Sequence, residues 1–168
     1  MSQESDEYEK FIAGIIDDIK STGRKIEIIC YGRDCKLQGE AGQKHQIDVA
    51  FLDHSFSPTV LVLVECKLRK KRNVTPEVPK IASFNQDDIG ALNEYAEKTM
   101  TILVTTCGYS KGAKLISDSR QLRREIVPFK ADSYTFRYEN IVMIYSSDEL
   151  GAHDSFEAEQ IRNGKIID

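Results

Sequence analysis

Five consecutive aliphatic residues, Val60-Leu61-Val62-Leu63-Val64, run directly into Glu65-Cys66-Lys67. A strand that is apolar at every position has to be covered on both faces, which places residues 59–68 in the middle of a sheet. Packing layers must therefore lie above and below it. The chain has 168 residues, enough for one domain that buries about two-thirds of the surface its unfolded form exposes. A chain of this size needs no staple to fold.

Around this centre the pattern predicts alternating helices and strands. Tyr8, Phe11, Ile12, Ile15, Ile16 and Ile19 form one broad stripe at helical spacing, predicting an amphipathic helix over 6–21 that Gly23 stops. Residues 25–31 read as a strand, and the glycine-bearing segment 32–44 as a loop. Ile47, Val49 and Phe51 alternate with their neighbours, predicting a second strand over 45–53. A turn at 55–58 leads into the central strand. After Arg69-Lys70-Lys71-Arg72 comes a loop holding Pro76 and Pro79, then a helix with the stripe Ile81, Phe84, Ile89, Leu92, Tyr95 and Ala96. Strands are expected over 100–106 and 125–129, and a helix capped by Ser110 over 111–124. Residues 134–145 are again β-like. A closing helix is expected over 148–161, with its N-cap at Ser147 or Asp148. The order α-β-β-β-α-β-α-β predicts an α/β fold: a mixed central sheet, antiparallel in its first three strands and parallel in its crossovers, with helices on both faces.

Composition removes several classes. No apolar run approaches the ~20 residues of a membrane span. The acidic, polar start Met-Ser-Gln-Glu-Ser-Asp-Glu reads as neither a secretory signal nor a transit peptide. Cys66 and Cys107 fall in strand-like apolar stretches and read as small buried hydrophobes. Cys30 and Cys35 resemble half a metal site with no second pair, so structural zinc is not favoured. A reducing, cytoplasmic compartment is the default for such a set. The formal net charge is -4, which taken alone argues against a phosphate-rich partner. That figure averages unlike parts. Residues 1–20 carry a net of -4 and 139–168 a net of -5, while 21–138 carry +5.

The residues that carry chemistry are Asp48, Glu65 and Lys67. Positions 65 and 67 share a strand face, because side chains alternate. They sit where the preceding pattern says buried, and burying charge is costly unless it is paired or used. If the strand bearing Asp48 is adjacent, two carboxylates converge beside one lysine. This is the inventory of a magnesium-dependent phosphodiesterase. Mg²⁺ takes one or two carboxylates and completes its shell with waters and substrate phosphate. Asp48, Glu65 and the backbone carbonyl of Cys66 would supply oxygens, and Lys67 would orient or deprotonate a water or neutralise phosphate charge. The bland alternative for a Glu-x-Lys on a strand is a solvated edge pair.

The string Gln46-Ile47-Asp48 with Val64-Glu65-Cys66-Lys67 resembles the PD-(D/E)XK nuclease superfamily, and is similar in particular to Mrr-type restriction endonucleases and Holliday-junction-resolvase-like domains. The resemblance covers about residues 6–130, including the strand-to-helix passage Leu103-Val104-Thr105-Thr106-Cys107-Gly108-Tyr109-Ser110-Lys111-Gly112-Ala113. Ile47 stands where the motif's proline would be. The resemblance implies a restriction-endonuclease-like core with a C-terminal extension over 131–168, all in one domain. It also implies a further acid on the first helix, matched here by Glu9, whose ordinary reading is a solvated glutamate near a helix start.

The leading expectation is therefore an endonuclease that hydrolyses DNA with Mg²⁺ or Mn²⁺, in restriction and defence or in repair. The alternative is a catalytically inactive nuclease-fold module that binds DNA. An unrelated α/β protein matching by chance is a third reading. Gln46 shares a face with Asp48 and is a candidate contact to metal-bound water or phosphate, whereas His45 points away and reads as structural or exposed. Arg69, Lys70, Lys71 and Arg72 are placed for phosphates. Ser110 and Lys111 open a helix whose N-terminus suits a phosphate, though capping alone explains Ser110. Asp88 falls within an apolar stripe with no role assigned. A homodimer is a further expectation, since cutting both strands calls for two sites.

Overall fold

The structure, a computed structural model, describes residues 2–146. The expected helix over 148–161 lies outside the described residues. Helix α1 spans Gln3–Asp18, its start capped by Ser2, whose hydroxyl accepts from the Ser5 amide. Its inward face is Tyr8, Ile12, Ala13, Ile15 and Ile16, as the stripe predicts. A 3-10 turn, Ile19–Thr22, then ends at Gly23, whose φ of 94° is one that glycine adopts without penalty.

Five strands form the main sheet: β1 (Ile26–Tyr31), β4 (Val49–Asp53), β5 (Val60–Lys67), β6 (Lys98–Thr105) and β7 (Arg123–Ile126), side by side in that order. β1, β4 and β5 pair antiparallel, while β5, β6 and β7 pair parallel. β5 is thus the central strand. Val60, Val62, Val64 and Cys66 pack into the core beneath α1, whereas Leu61 and Leu63 pack with Ile89 on the other side. Each such fully buried aliphatic side chain stabilises the fold by about 1.5–3 kcal/mol.

The other layer holds α2 (Glu77–Leu92) and α3 (Lys111–Ser119). Pro79 is not in a loop as its type suggested. It occupies the first turn of α2, where a missing N–H costs nothing. Asn93 in the left-handed region stops α2, leaving Tyr95 and Ala96 outside the helix. Ile81 and Phe84, expected in its buried stripe, are exposed instead, and α2 buries Val78, Pro79, Ala82, Ser83 and Ile89. The strong apolar spacing of 81 and 84 was a poor guide because the helix is rotated by its packing on Leu103 and Tyr109 through Val78 and Ala82. α3 ends five residues earlier than the periodicity predicts, because β7 starts at Arg123 rather than 125.

The predicted strand over 45–53 is two strands. Lys44–Gln46 (β3) pairs with Lys36–Gln38 (β2) as a small separate hairpin, with β2 inside what the glycines marked as loop. Asp48 therefore sits at the break between β3 and β4, not within a strand. The hairpin is held to α2 by Asp88. Its carboxylate lies 2.6 Å from His45 Nε2 and accepts from the Ala41 amide, and its carbonyl accepts from the Glu40 amide. This gives Asp88 its role, and His45 is buried by the same contact. Two hydrogen bonds, first the one from His45 and then the one from the Ala41 amide, hold the Asp88 carboxyl below the usual range.

A final hairpin, β8 (Ser133–Tyr138) with β9 (Ile141–Ser146), closes the α1 side of the core with Phe136, Tyr138, Ile141, Met143 and Tyr145. It is fastened by the Tyr138 hydroxyl, which donates to the fully buried Asp53 over 2.6 Å. Arg24 reaches Asp53 at 3.4 Å and lies over the rings of Phe56 and Tyr138.

Two cysteine expectations change. Cys30 and Cys35 are joined in a disulfide, where four thiols in a reducing setting were expected. Cys107 is half-buried in the turn after β6, where its thiol donates to the Arg69 carbonyl, and is not a strand hydrophobe. Cys66 is buried as expected. No helix among the described residues is long and apolar enough to cross a membrane.

Candidate active site

Three carboxylates meet at the end of the central strand. Glu65 and Lys67 are brought there by β5, Asp48 by the break before β4, and Glu9 by α1. They line an open cleft of about 320 Å³, together with Ser5, Gln46, Cys66, Leu68, Arg69, Ile81 and Asn85. The register explains the meeting. Val49 lies opposite Val64, so Asp48 and Glu65, one residue further along their antiparallel strands, are neighbours. The Cys66 amide donates to Asp48 Oδ2 over 2.7 Å and fixes that carboxylate.

Glu9 and Asp48 are almost fully buried, at 3% and 6% exposure. Burial pushes the Glu9 carboxyl up to about 7, reinforced by the neighbouring charges of Asp48 and Asp6 and opposed by Lys67. The Glu65 carboxyl is raised too, first by burial, then by its hydrogen bond to and the charge of Asp48, with Lys67 again opposing. Asp48 thus stands within hydrogen-bonding reach of both glutamates, and burial with mutual repulsion favours the protonated forms of Glu9 and Glu65. Glu9 Oε1 is buried with no hydrogen-bond partner. An orphaned carboxylate oxygen facing two further acids is what a hard cation would satisfy. Among the described residues no three His, Cys, Asp or Glu side chains are spaced to close a metal cage by themselves. The donor set fits Mg²⁺, which keeps several waters and takes only one or two carboxylates.

The chain just after Lys67 is clamped by the turn following β6. Thr105 donates to the Lys67 carbonyl over 2.8 Å. Thr106 donates to the Arg69 carbonyl and accepts from the Arg69 amide. The Tyr109 hydroxyl lies 2.8 Å and 2.9 Å from the carbonyls of Leu103 and Glu125, tying this turn to β6 and β7. The Thr-Thr-Cys-Gly-Tyr string is thus a brace for the Glu65–Arg69 segment.

Among the other candidates, Gln46 and Arg69 line the cleft. Lys70 pairs with Glu4 at 3.2 Å, and Lys71 and Arg72 are exposed on the loop beyond, outside the lining. Ser110 caps α3 by accepting from the Ala113 amide, and neither it nor Lys111 lines the cleft. Sequence reasoning missed Asn85, Ser5 and Ile81 as lining residues. Only the half-buried amide of Asn85, one turn before Ile89 on a face turned to the sheet, offered a signal.

By sequence the chain matches no family model and no curated protein. By structure it is similar to a protein of unknown function, AF1548, with a TM-score of 0.50 and 13% identity over 66% of this chain and 53% of that one. It is similar in the same degree to a repair endonuclease from Pyrococcus abyssi, with a TM-score of 0.50 and 17% identity over 76% of this chain and 48% of the other. The chain thus spans about half the length of each. A looser likeness, TM-score 0.43 and 17% identity over 71% of this chain and 24% of that one, is to the MspJI restriction endonuclease solved with a 27-mer oligonucleotide. The mixed sheet flanked by helices is a restriction-endonuclease-like fold, as the PD-(D/E)XK resemblance implied.

Proposed function

We propose that the protein is an endonuclease that hydrolyses DNA phosphodiester bonds with Mg²⁺ or Mn²⁺. The observation that carries this reading is the convergence of Glu9, Asp48 and Glu65 beside Lys67 in one cleft, with a buried glutamate oxygen left unpartnered. Asp48 and Glu65, with the Cys66 carbonyl, would hold the ion, and Glu9 would reach it through one of its waters. When bound, it would polarise the phosphoryl group and make water a better nucleophile.

The chain's own residues do the rest. The Cys66 amide keeps Asp48 oriented toward the cleft, so no reorganisation is needed when substrate arrives. The Lys67 ammonium, on the same strand face as Glu65, orients the attacking water or offsets charge developing on the phosphate. Gln46 and Asn85 present amides to the cleft wall, suited to water or a phosphate oxygen. Arg69 stands at the rim as the first contact to a flanking phosphate, followed by Lys70, Lys71 and Arg72. The basic centre of the chain suits such a partner, and the acidic ends keep that binding modest and salt-sensitive.

The test is cleavage of supercoiled plasmid and of branched DNA with Mg²⁺ or Mn²⁺, with chelator as control. Metal-dependent nicking supports the reading. Salt-dependent binding without cleavage by the wild-type chain would overturn it in favour of a DNA-binding module.

A further inference from the structure

The disulfide lies in the segment that hydrogen-bonds the backbone of Ile47 and Asp48. Cys30 is the penultimate residue of β1 and pairs with Ala50, and Cys35 ends the tight turn that follows. Within that turn the Gly32 amide donates to the Asp48 carbonyl over 2.9 Å. Cys35 accepts from the Ile47 amide over 2.9 Å, and its own amide closes the turn on the Gly32 carbonyl. Arg33 pairs with Asp6, one helical turn before Glu9 on α1. Residues 30–35 therefore grip both of the elements that deliver Asp48 and Glu9. Asp48 needs this grip, because it sits at a strand break where no ladder partner holds its backbone.

We propose that Cys30 and Cys35 are positioning residues for Asp48, and that the cleft is ordered when they are bridged and loosened when a dithiol reduces them. Cys30 is partly buried while Cys35 is 1% exposed, so attack falls on the more accessible Cys30 sulfur. A reductant thiolate bonds to Cys30 Sγ, the Cys30–Cys35 bond breaks, and Cys35 leaves as a thiolate that takes a proton. The second thiol of the reductant then attacks its own sulfur in the mixed bond and frees Cys30. Two electrons and two protons reach the protein, and the dithiol becomes a disulfide. The turn then keeps only its hydrogen bonds, in a loop whose tip residues Arg33 and Asp34 are exposed.

The effect on cleavage rests on the proposed nuclease function, whereas the effect on backbone order does not. The experiment compares the full chain in its disulfide and dithiothreitol-reduced forms, with alkylation and peptide mass reporting the state of all four cysteines. Amide exchange at Gly32 and Ile47 is expected to be at least about tenfold faster in the reduced form. Plasmid cleavage with Mg²⁺ is expected to fall by at least about tenfold, since small displacements of a catalytic group are costly. The Cys30→Ser/Cys35→Ser variant should match the reduced form and ignore dithiothreitol. If that variant does not fold, the two wild-type forms decide the matter. Equal exchange in the two forms, unpaired thiols at 30 and 35 in the air-oxidised protein, or a Ser/Ser variant still sensitive to dithiothreitol would each overturn the proposal. Altered exchange with no cleavage in either form supports the positioning role and counts against the nuclease reading alone.

Discussion

The Cys66 amide donates to the Asp48 carboxylate over 2.7 Å, so the residue standing between Glu65 and Lys67 holds the acid that completes their site. One hydrogen bond thus links two segments eighteen residues apart in sequence. It predicts different outcomes for two substitutions. Asp48→Asn keeps an acceptor for the Cys66 amide and removes a charge from a crowded group, so its thermal stability should equal or exceed the wild type. Its cleavage should fall by at least ~10²-fold. Lys67→Ala should lose activity to a similar degree. Calorimetry and plasmid nicking check both, and full activity in either variant would sink the assignment.

The raised Glu9 carboxyl makes stability depend on pH and on cation. A carboxyl held up at about 7 in the fold and at its ordinary 4.5 when unfolded favours folding while it is protonated. That contribution is complete below about 4.5 and is lost as pH climbs through about 7. Because Glu9 shares the cluster with Asp48 and Glu65, the loss belongs to the group as a whole and, discounted for solvent screening, should read as a fall of several °C in Tm. Added Mg²⁺ or Mn²⁺ should restore stability at pH 8 and do little at pH 5. Glu9→Gln should make the metal-free profile shallower, leaving the part that belongs to Glu65. Thermal melts across pH with and without metal read all three, and an unchanged profile in Glu9→Gln would contradict the assigned carboxyl.

Asp88 holds the β2–β3 hairpin to α2 through His45 and the Ala41 amide. Asp88→Ala leaves the buried His45 without that partner, so it should cost about 1–3 kcal/mol in urea unfolding. Because Gln46 follows His45 on the same short strand, cleavage should weaken as well, while Lys80→Ala on the exposed side of α2 should change neither.

Tyr138 and Asp53 fasten the second hairpin to the far end of the sheet. Tyr138→Phe removes a donor from a buried carboxylate and should cost about 1.5–3 kcal/mol. The cleft lies at the other end of β4, so the cleavage rate of the folded variant should stay within about twofold of wild type. A larger drop in rate would show that the two ends of the sheet are coupled.

The central strand, the antiparallel-then-parallel order and the helix α1 were legible in the sequence because each is a local pattern. Val60–Val64 is apolar at every position, and Tyr8 to Ile16 repeat at the helical period. The pairing of Glu65 with Lys67 follows from strand alternation alone. The α2 face was misread because Ile81 and Phe84 satisfy helical spacing while the helix packs through Val78, Ala82 and Ile89. Spacing names a stripe, and only the neighbouring layer decides which stripe is covered.

The amino-acid order by itself pointed to the fold class and to Asp48, Glu65 and Lys67, with Gln46, Cys66 and Arg69 beside them, as cleft residues, since charges at the end of a fully apolar strand have few other uses. The tertiary structure decided the rest. It brought Glu9 beside Asp48 across a separation of thirty-nine residues, broke the strand at Asp48, assigned Asp88 to the hairpin and joined Cys30 to Cys35. Each of these depends on how two elements approach in space, and the energy of that approach is set by packing and register that no local pattern of residues encodes.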